Sequence, residues 1–300
     1  MPAKGRGRPE QGQGRRAVEF AFPGDQVTDG AGVRLRRSLG SRVVESVDPF
    51  LLFDEFKSRN PDDYVAGFPW HPHRGMETVT YMIDGSVRHG DSLGNGGTIG
   101  PGWIQWMTAG RGIIHQEMPE RQEGRLWGFQ LWVNLPRKLK LREPRYQDIP
   151  PDRIPVAERS GDVTVRVMAG EVDGARGPVS GIDVAPTYLD VSVPQGAAFR
   201  EELPVGHNVV AWVAEGEGEF GRPVDPSIPE RLGSPQLVVF GEGDHVEVHA
   251  PHGPVRFLLM AARPLNEPVA RGGPFVMNTP DEIRQAFEEY RNGTLLEPRG

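Results

Sequence analysis

The chain has 300 residues, a formal net charge of −7 at pH 7 and no cysteine. This length suits one large domain or two of ordinary size, and the lack of cysteine excludes disulfides and thiolate metal sites, so any metal must be held by histidine and carboxylate side chains. No apolar run approaches the roughly 20 residues of a membrane-spanning helix, and an acidic body repels nucleic-acid phosphates, so we expect a cytoplasmic protein that binds neither membranes nor, through its folded part, nucleic acid.

The first predicted segment, residues 1–16, is a basic tail with five Lys and Arg residues and one Glu. It has no aromatic residues on which bases could stack, and we expect it to be disordered. Short apolar segments separated by turn residues then predict β-strands at residues 18–22, 33–36, 43–47 and 50–53.

Strand signals continue to the end of the first half. Residues 77–83 alternate in polarity and end at Asp84-Gly85, a strong hairpin signal. Further strands are predicted at residues 103–107 and 126–134. Residues 137–160 contain few apolar residues and several prolines, which is typical of an irregular connection between domains.

The second half has a similar order of strands and turns. Strands are predicted at residues 163–168, 188–193, 208–214, 237–240, 245–250 and 255–261. They do not alternate with helical patterns, which disfavours a parallel α/β sheet. The layout predicts an all-β fold of two double-sheet jelly-roll β-barrels in tandem.

One short α-helix is predicted near the C-terminus. Thr279-Pro280-Asp281-Glu282 combines a capping residue, proline at the first helical position and glutamate three residues after the cap. An apolar stripe follows at helical spacing, formed by Ile283, Ala286, Phe287 and Tyr290, and Asn292-Gly293 ends the helix. We expect this helix to pack against the barrels.

Two pairs of candidate metal ligands lie in the first half. Residues two apart in a strand point to the same face, so His71 and His73 form one pair, and His115 and Glu117 form a second. Three imidazoles and one carboxylate, with positions left open, suit a catalytic first-row metal such as Fe(II). Glu77 has the same strand parity as His73, so spacing alone leaves Glu77 and Glu117 open as the carboxylate ligand.

The remaining histidines give weaker signals. His89 and His207 are interpreted as solvated or hydrogen-bonded residues. His245, Glu247 and His249 share one face of a C-terminal strand, but they lack a second pair of ligands and are a weak candidate for another metal site.

Several motifs carry a resemblance to known families. The His-x-His-x3-Glu pattern from His71 to Glu77 resembles the first motif of the cupin superfamily. Longer runs resemble the pirin family: His71-Pro-His73-Arg-Gly-Met-Glu77-Thr-Val-Thr-Tyr81, Asp91-Ser-Leu-Gly-Asn95, and residues 105–119, 130–136, 264–268 and 273–280.

The resemblance implies a bicupin in which one metal lies in the N-terminal cupin. It assigns the ligands to His71, His73, His115 and Glu117, and leaves Glu77 in a supporting role. Fe(II) is the favoured ion, with Ni, Mn, Co, Cu and Zn as alternatives. The implied organisation is a basic tail at 1–16, a metal-binding cupin at 17–160, a metal-free cupin at 161–262 and a C-terminal segment at 263–300 that packs back on the barrels.

Bacterial pirins include quercetinase-type enzymes, so the resemblance implies a dioxygenase that opens a flavonol-like ring with O2 and releases carbon monoxide. Glu117 or Glu77 would accept the substrate proton. Candidates for an apolar wall around the ring are Phe68, Trp70, Met107, Trp127, Phe129 and Trp132. The alternative is a non-catalytic metal- or redox-sensing transcription cofactor with a regulatory protein partner. A third class, an isomerase or binding module, stays open because fold does not fix function.

Overall fold

The computed structural model describes residues 14–297. Most of the predicted basic tail, residues 1–13, therefore lies outside the described part. The end of that predicted tail is ordered, however, because Arg16 is buried and donates hydrogen bonds to the carbonyls of Gly241 and Pro204.

The first twelve strands form most of the N-terminal half. They are β1 (Val18–Phe22), β2 (Asp25–Asp29), β3 (Val33–Leu39), β4 (Phe50–Ser58), β5 (Phe68–His73), β6 (Met76–Asp84), β7 (Val87–Asp91), β8 (Gly96–Ile99), β9 (Ile104–Thr108), β10 (Ile113–Pro119), β11 (Leu126–Asn134) and β12 (Arg145–Ile149). Seven of them form a sheet in the order β12-β9-β6-β11-β4-β3-β2, and four form a smaller sheet in the order β5-β10-β7-β8. This two-sheet antiparallel arrangement is the first cupin domain.

The remaining elements form the second cupin and the C-terminal segment. They are β13 (Val156–Arg159), β14 (Val163–Ala169), β15 (Glu171–Val172), β16 (Ala175–Arg176), β17 (Thr187–Val193), β18 (Ala198–Glu202), β19 (Asn208–Glu219), β20 (Arg231–Gly233), β21 (Gln236–Phe240), β22 (His245–His249), β23 (Val255–Ala262), β24 (Ala270–Gly272), β25 (Phe275–Met277) and α1 (Pro280–Arg291). The large sheet has the order β1-β21-β19-β23-β17-β14-β13.

Two strands lie on the other side of the predicted domain boundary. β1 pairs with β21 and β13 pairs with β14, so both belong to the second cupin although they precede residue 161. The placement of β1 depends on an antiparallel pairing with residues far along the chain, from Val18 opposite Phe240 to Phe22 opposite Leu237. Its local sequence carries no signal for that partner.

The large sheets of the two cupins pack against each other through a shared apolar core. Val79, Tyr81 and Phe129 from β6 and β11 join Tyr188 and Trp212 from β17 and β19 in one cluster of buried residues. The opposite faces of the same strands point into their own cupins. Because these strands are buried on both faces, β11 and β23 appear in the sequence as nearly continuous apolar runs.

The interiors of the two cupins differ. The second is filled by a large apolar cluster to which valine side chains such as Val165, Val191 and Val248 contribute. The first holds a smaller apolar cluster around Leu35, Phe56 and Leu126, and contains a cavity of about 960 Å³. The cavity of about 960 Å³ therefore belongs to the first cupin, whereas apolar side chains fill the second.

The C-terminal helix has the predicted position and caps. Thr279 and Glu282 form a reciprocal capping box at the start of α1. Ala286 on its buried face lies in a cluster with Phe275 and Leu295, and Ile114 of β10 packs against this cluster. The helix thus rests on β25 and reaches the first cupin. None of the helices in the described chain is long and apolar enough to cross a membrane.

Candidate metal centre

Two neighbouring strands bring the predicted histidines together. β5 and β10 are antiparallel, with His71 opposite His115 and His73 opposite Ile113. One ring nitrogen from each of His71, His73 and His115 lies within 4.8 Å of the other two. Alternation along each strand places these rings on one face, as the spacing of the residues predicts.

Backbone carbonyls orient the first two histidines. The Nδ1 atom of His71 lies 2.8 Å from the carbonyl oxygen of Pro69, and that of His73 lies 3.1 Å from the carbonyl oxygen of Pro274. A carbonyl oxygen only accepts hydrogen bonds, so each Nδ1 carries a proton and donates it. The two Nε2 atoms, 3.1 Å apart, are then left with lone pairs that face each other.

The third histidine completes the cluster on its buried side. His115 Nδ1 lies 3.3 Å from the Tyr146 hydroxyl, and its Nε2 is buried without a hydrogen-bond partner among the described residues. Burial lowers the pKa of His115 well below its ordinary value, and burial together with His71 lowers that of His73 to about 3. Imidazole nitrogens that converge in this way suit a metal cation, so the residues present fit the expected group.

Glu117 lies near this cluster and is hydrogen-bonded to a separate set of polar side chains. Its carboxylate is buried, and its oxygens lie 2.9 Å from the Thr80 hydroxyl and 3.2 Å from the side-chain nitrogen of Gln130. A shift in the β5–β10 pairing separates His115 from Glu117. Within the described chain, the group of ligand atoms that lie within 4.8 Å of one another contains the three histidines but not Glu117. Its assignment as fourth ligand stays a prediction.

Glu77 occupies the other face of the large sheet. It shares strand parity with Val79 and Tyr81, which belong to the core between the cupins, and it accepts a hydrogen bond from the Thr108 hydroxyl at 2.7 Å. Parity counted from His73 predicts the wrong face because β5 ends at His73 and β6 begins at Met76, with Gly75 at a φ of +80° between them. The contacts of Glu77 give it no place beside the histidines or in the cavity lining.

The cavity begins at the histidine cluster and extends through the first cupin. His71, His73, Glu117, Thr80 and Gln130 contribute to its wall. Of the predicted aromatic wall, Phe68, Trp70 and Trp132 line it. Trp127 and Phe129 point instead into the core between the cupins, and Met107 lies in a separate small cluster.

Several residues that support the histidines were not predicted from the sequence. Pro274, Tyr146 and His89 are far from the His-x-His motif in the chain. His89, expected to be solvated or hydrogen-bonded, is buried, and its ring stacks on that of Tyr146 at a centroid distance of 5.8 Å. The ring of His89 thus supports Tyr146, which in turn contacts His115.

The C-terminal helix is tied to the turn that follows the histidine pair. Arg74 is buried and forms an ion pair of 2.6 Å with Glu289 of α1. It also donates hydrogen bonds to the carbonyls of Leu295 and Arg111. The segment that supplies Pro274 is therefore held against the first cupin by charged as well as apolar contacts.

A second group of potential ligands lies in the C-terminal cupin. It consists of Glu202, Asp244 and His245 rather than the predicted set of His245, Glu247 and His249. The two ring nitrogens of His245 already contact Asp244 at 2.5 Å and Glu247 at 3.5 Å. Both ring nitrogens of His245 are therefore already in contact with carboxylates.

Two family models match the chain, Pirin over residues 32–133 and the Pirin C-terminal cupin domain over residues 188–296. This chain belongs to the pirin family. A pirin relative in Pseudomonas aeruginosa, provisionally named quercetin 2,3-dioxygenase, is 48% identical over 280 residues, which are 91% of this chain and 95% of that protein. Human pirin is 44% identical over 269 residues, 88% of this chain and 89% of that protein.

A solved structure agrees with this assignment. The crystal structure of quercetin 2,3-dioxygenase from Acinetobacter baumannii is similar to this pirin with a TM-score of 0.85 and 32% sequence identity. The match covers 94% of this chain and 99% of that one. The two-cupin architecture and the C-terminal helix predicted from the sequence are confirmed.

Proposed function

We propose that this pirin is a metal-dependent dioxygenase of the quercetinase type, which opens the ring of a flavonol-like substrate with O2 and releases carbon monoxide. The observation that carries the proposal is the cluster of His71, His73 and His115, of which His71 and His73 line a cavity of about 960 Å³. The names of the P. aeruginosa relative and of the A. baumannii structure support it, since the similarity to both extends over nearly the whole chain.

The metal would be held by His71, His73 and His115, with Glu117 as the fourth ligand. This donor set favours Fe(II), and Ni, Mn, Co, Cu and Zn ions are the alternatives to compare. When bound, a divalent ion supplies a positive charge that lowers the pKa of a substrate hydroxyl coordinated to it.

Glu117 would also accept the proton that the substrate hydroxyl loses. Its carboxylate borders the cavity, and hydrogen bonds from Thr80 and Gln130 fix its orientation. The apolar side chains of Leu35, Phe56 and Phe68 line the same cavity and would exclude water from a flat aromatic ring.

Aerobic turnover of quercetin tests the proposal. Protein loaded with Fe(II) should consume quercetin, measured as loss of its near-ultraviolet absorption band, and release carbon monoxide in proportion. The same assay is then repeated with each of the alternative metals. Absence of turnover with every metal, in protein that has retained the metal, contradicts the proposal.

A non-catalytic sensor is the second candidate, and one contact favours it. The ring of His73 bonds to the carbonyl of Pro274, and the segment that follows leads into α1. A change of charge at the metal would therefore reach the surface of the C-terminal segment through a single hydrogen bond. Under this proposal a regulatory protein binds the oxidised and reduced forms with different affinities, which can be measured with the two forms immobilised.

A further inference from the structure

A row of polar side chains crosses the cavity face of the large N-terminal sheet. The strand registers place Arg37 opposite Asp54, Asp54 opposite Gln130, and Gln130 opposite Thr80. All four residues line the cavity together with Glu117. The row thus leads from β3, the strand next to the edge of the sheet, to the carboxylate beside the histidines.

The neighbouring rows on the same face are mainly apolar. Leu52 lies opposite Trp132 on one side of the polar row, and Phe56 lies opposite Gly128 on the other. The interior of the second cupin shows that the fold itself does not need such a row, because valine, leucine and phenylalanine side chains fill it. The polar row is specific to the cupin that contains the cavity.

Arg37 and Asp54 are the charged groups within this row. Asp54 is 4% exposed, and its two oxygens accept hydrogen bonds from Arg37 at 2.8 and 2.7 Å. Arg37 also contacts Asp29 at 2.7 Å, so its charge remains balanced by two carboxylates. A buried ion pair of this kind is seldom more stable than an apolar pair of similar volume, because both charges lose water.

The geometry leaves Asp54 able to bind a further donor. Each carboxylate oxygen has two acceptor positions, and Arg37 occupies one on each oxygen. Arg37 therefore fixes the carboxylate in the cavity wall without saturating it. The apolar residues on either side offer surfaces for an aromatic ring but no competing acceptor for its hydroxyl groups.

We propose that Asp54, held by Arg37, is a specificity-determining residue that accepts a hydrogen bond from a hydroxyl group on the aromatic ring of the substrate. The cavity then selects polyhydroxylated aromatic compounds over those that carry only the hydroxyl directed at the metal. The inference rests on the proposed function, because it assumes that the ring lies between the histidines and this row.

The test measures binding rather than turnover. Fe(II)-loaded protein without oxygen is titrated with two probes, quercetin and 3-hydroxyflavone, which lacks the additional ring hydroxyls. Hydrogen bonds to charged acceptors correspond to about tenfold or more in affinity. We therefore expect the wild-type protein to bind quercetin at least about tenfold more tightly, and Asp54→Asn to reduce the ratio of the two Kd values to nearly one.

Asp152→Asn is the matched control. Asp152 is exposed in the short 3-10 helix Pro151–Arg153 and is not part of the cavity lining. It should retain the wild-type ratio. Metal content and the circular dichroism spectrum of each variant show whether it has folded, and the comparison of the two probes in the wild-type protein does not depend on any variant.

The outcomes separate this inference from the proposed function. Equal affinity of the wild-type protein for the two probes, or an unchanged ratio in folded Asp54→Asn, overturns the role of Asp54 even when quercetin is turned over in air. If the ratio of the two Kd values falls to nearly one only in Asp54→Asn, the role of Asp54 is supported even when no turnover occurs. Failure of the wild-type protein to bind either probe overturns the role of Asp54 and the flavonol-like substrate class together.

Discussion

His115 is the single residue whose removal tests the metal centre most directly. Its Nε2 is buried without a hydrogen-bond partner in the described chain, and its ring supplies one of the three nitrogens of the cluster. We expect His115→Ala to lose the bound metal, and its activity with it, as measured by elemental analysis of the purified protein. His249→Ala in the second cupin is the control and should keep both. If His249→Ala also loses the metal, the assignment of the metal site to the N-terminal cupin is wrong.

Tyr146 is expected to tune the affinity for the metal without binding it. Its hydroxyl lies 3.3 Å from Nδ1 of His115, the ring nitrogen that points away from the cluster. Loss of such a supporting contact typically lowers metal affinity by about 10–100-fold. Tyr146→Phe should show this decrease in a competition titration with a chelator, while Tyr290→Phe on the exposed face of α1 should not. If Tyr146→Phe and Tyr290→Phe bind the metal with equal affinity, Tyr146 does not support the metal site.

Protonation of Glu77 should make the free energy of unfolding depend on pH. Burial raises its pKa from 4.5 to about 7, so between these values the folded protein keeps a proton that the unfolded chain has lost. The free energy of unfolding should therefore fall as pH rises through this window, by up to about 3 kcal/mol from this group. Glu77→Gln removes the titrating group.

The measurement is urea denaturation at pH 5 and pH 8. Glu77→Gln should become more stable relative to the wild-type protein at the higher pH. Asp84→Asn, at the half-exposed end of the same strand, should show no comparable change. A difference between wild type and Glu77→Gln that stays constant with pH would show that Glu77 is ionised throughout.

At the scale of elements, α1 is coupled to the histidine strand through one buried charge. Glu289 of α1 pairs with Arg74, which is 2% exposed. Hydrogen bonds to buried charged groups contribute about 1.5–3 kcal/mol, so Glu289→Gln should lower the free energy of unfolding by about that amount. Glu288→Gln, one residue earlier on the exposed face, should change it by less than about 0.5 kcal/mol. Equal effects of the two substitutions would contradict the coupling.

The same elements show what the sequence can predict. The bounds of α1 follow from local chemistry, because the capping box, the proline and the final Asn-Gly all act within one turn of the helix. The histidine pairs were also found locally, since they depend only on alternation within a strand. The face of Glu77 was predicted wrongly because two residues of turn interrupt that alternation. The carbonyl of Pro274 could not be found at all, since a backbone acceptor leaves no side-chain signal.

At the scale of the whole molecule, the shared core predicts that the two cupins unfold together. Trp212 of the second cupin is fully buried, and its ring lies 5.6 Å from that of Phe53 in the first. Urea denaturation should show one transition by both circular dichroism and tryptophan fluorescence. Trp212→Ala should lower the free energy of unfolding by about 3–5 kcal/mol without splitting this transition. Trp70→Ala, at a position that is 53% exposed, should lower it far less.

The boundaries of the two cupins were harder to predict than their existence. Turn spacing predicts antiparallel strands in two cupins, and this all-β class is confirmed by the structure. The strands are more numerous than predicted, with 25 in the described residues, and residues 43–47 do not form the strand that was predicted there. The assignment of β1 to the second cupin depends on which residues pair across more than two hundred positions, and apolar strands of similar composition give no preference for one partner. Long-range pairing is decided by the assembled sheet rather than by any local pattern.

The contact between His73 and Pro274 has a consequence for biosynthesis. During translation the N-terminal cupin leaves the ribosome long before residue 274 has been made, because domains emerge in chain order. Until then the ring of His73 lacks the acceptor that directs its Nε2 towards the other imidazoles. Full metal affinity should therefore develop only after chain release, and nascent chains arrested before β24 should bind the ion about 10–100-fold more weakly than the released protein.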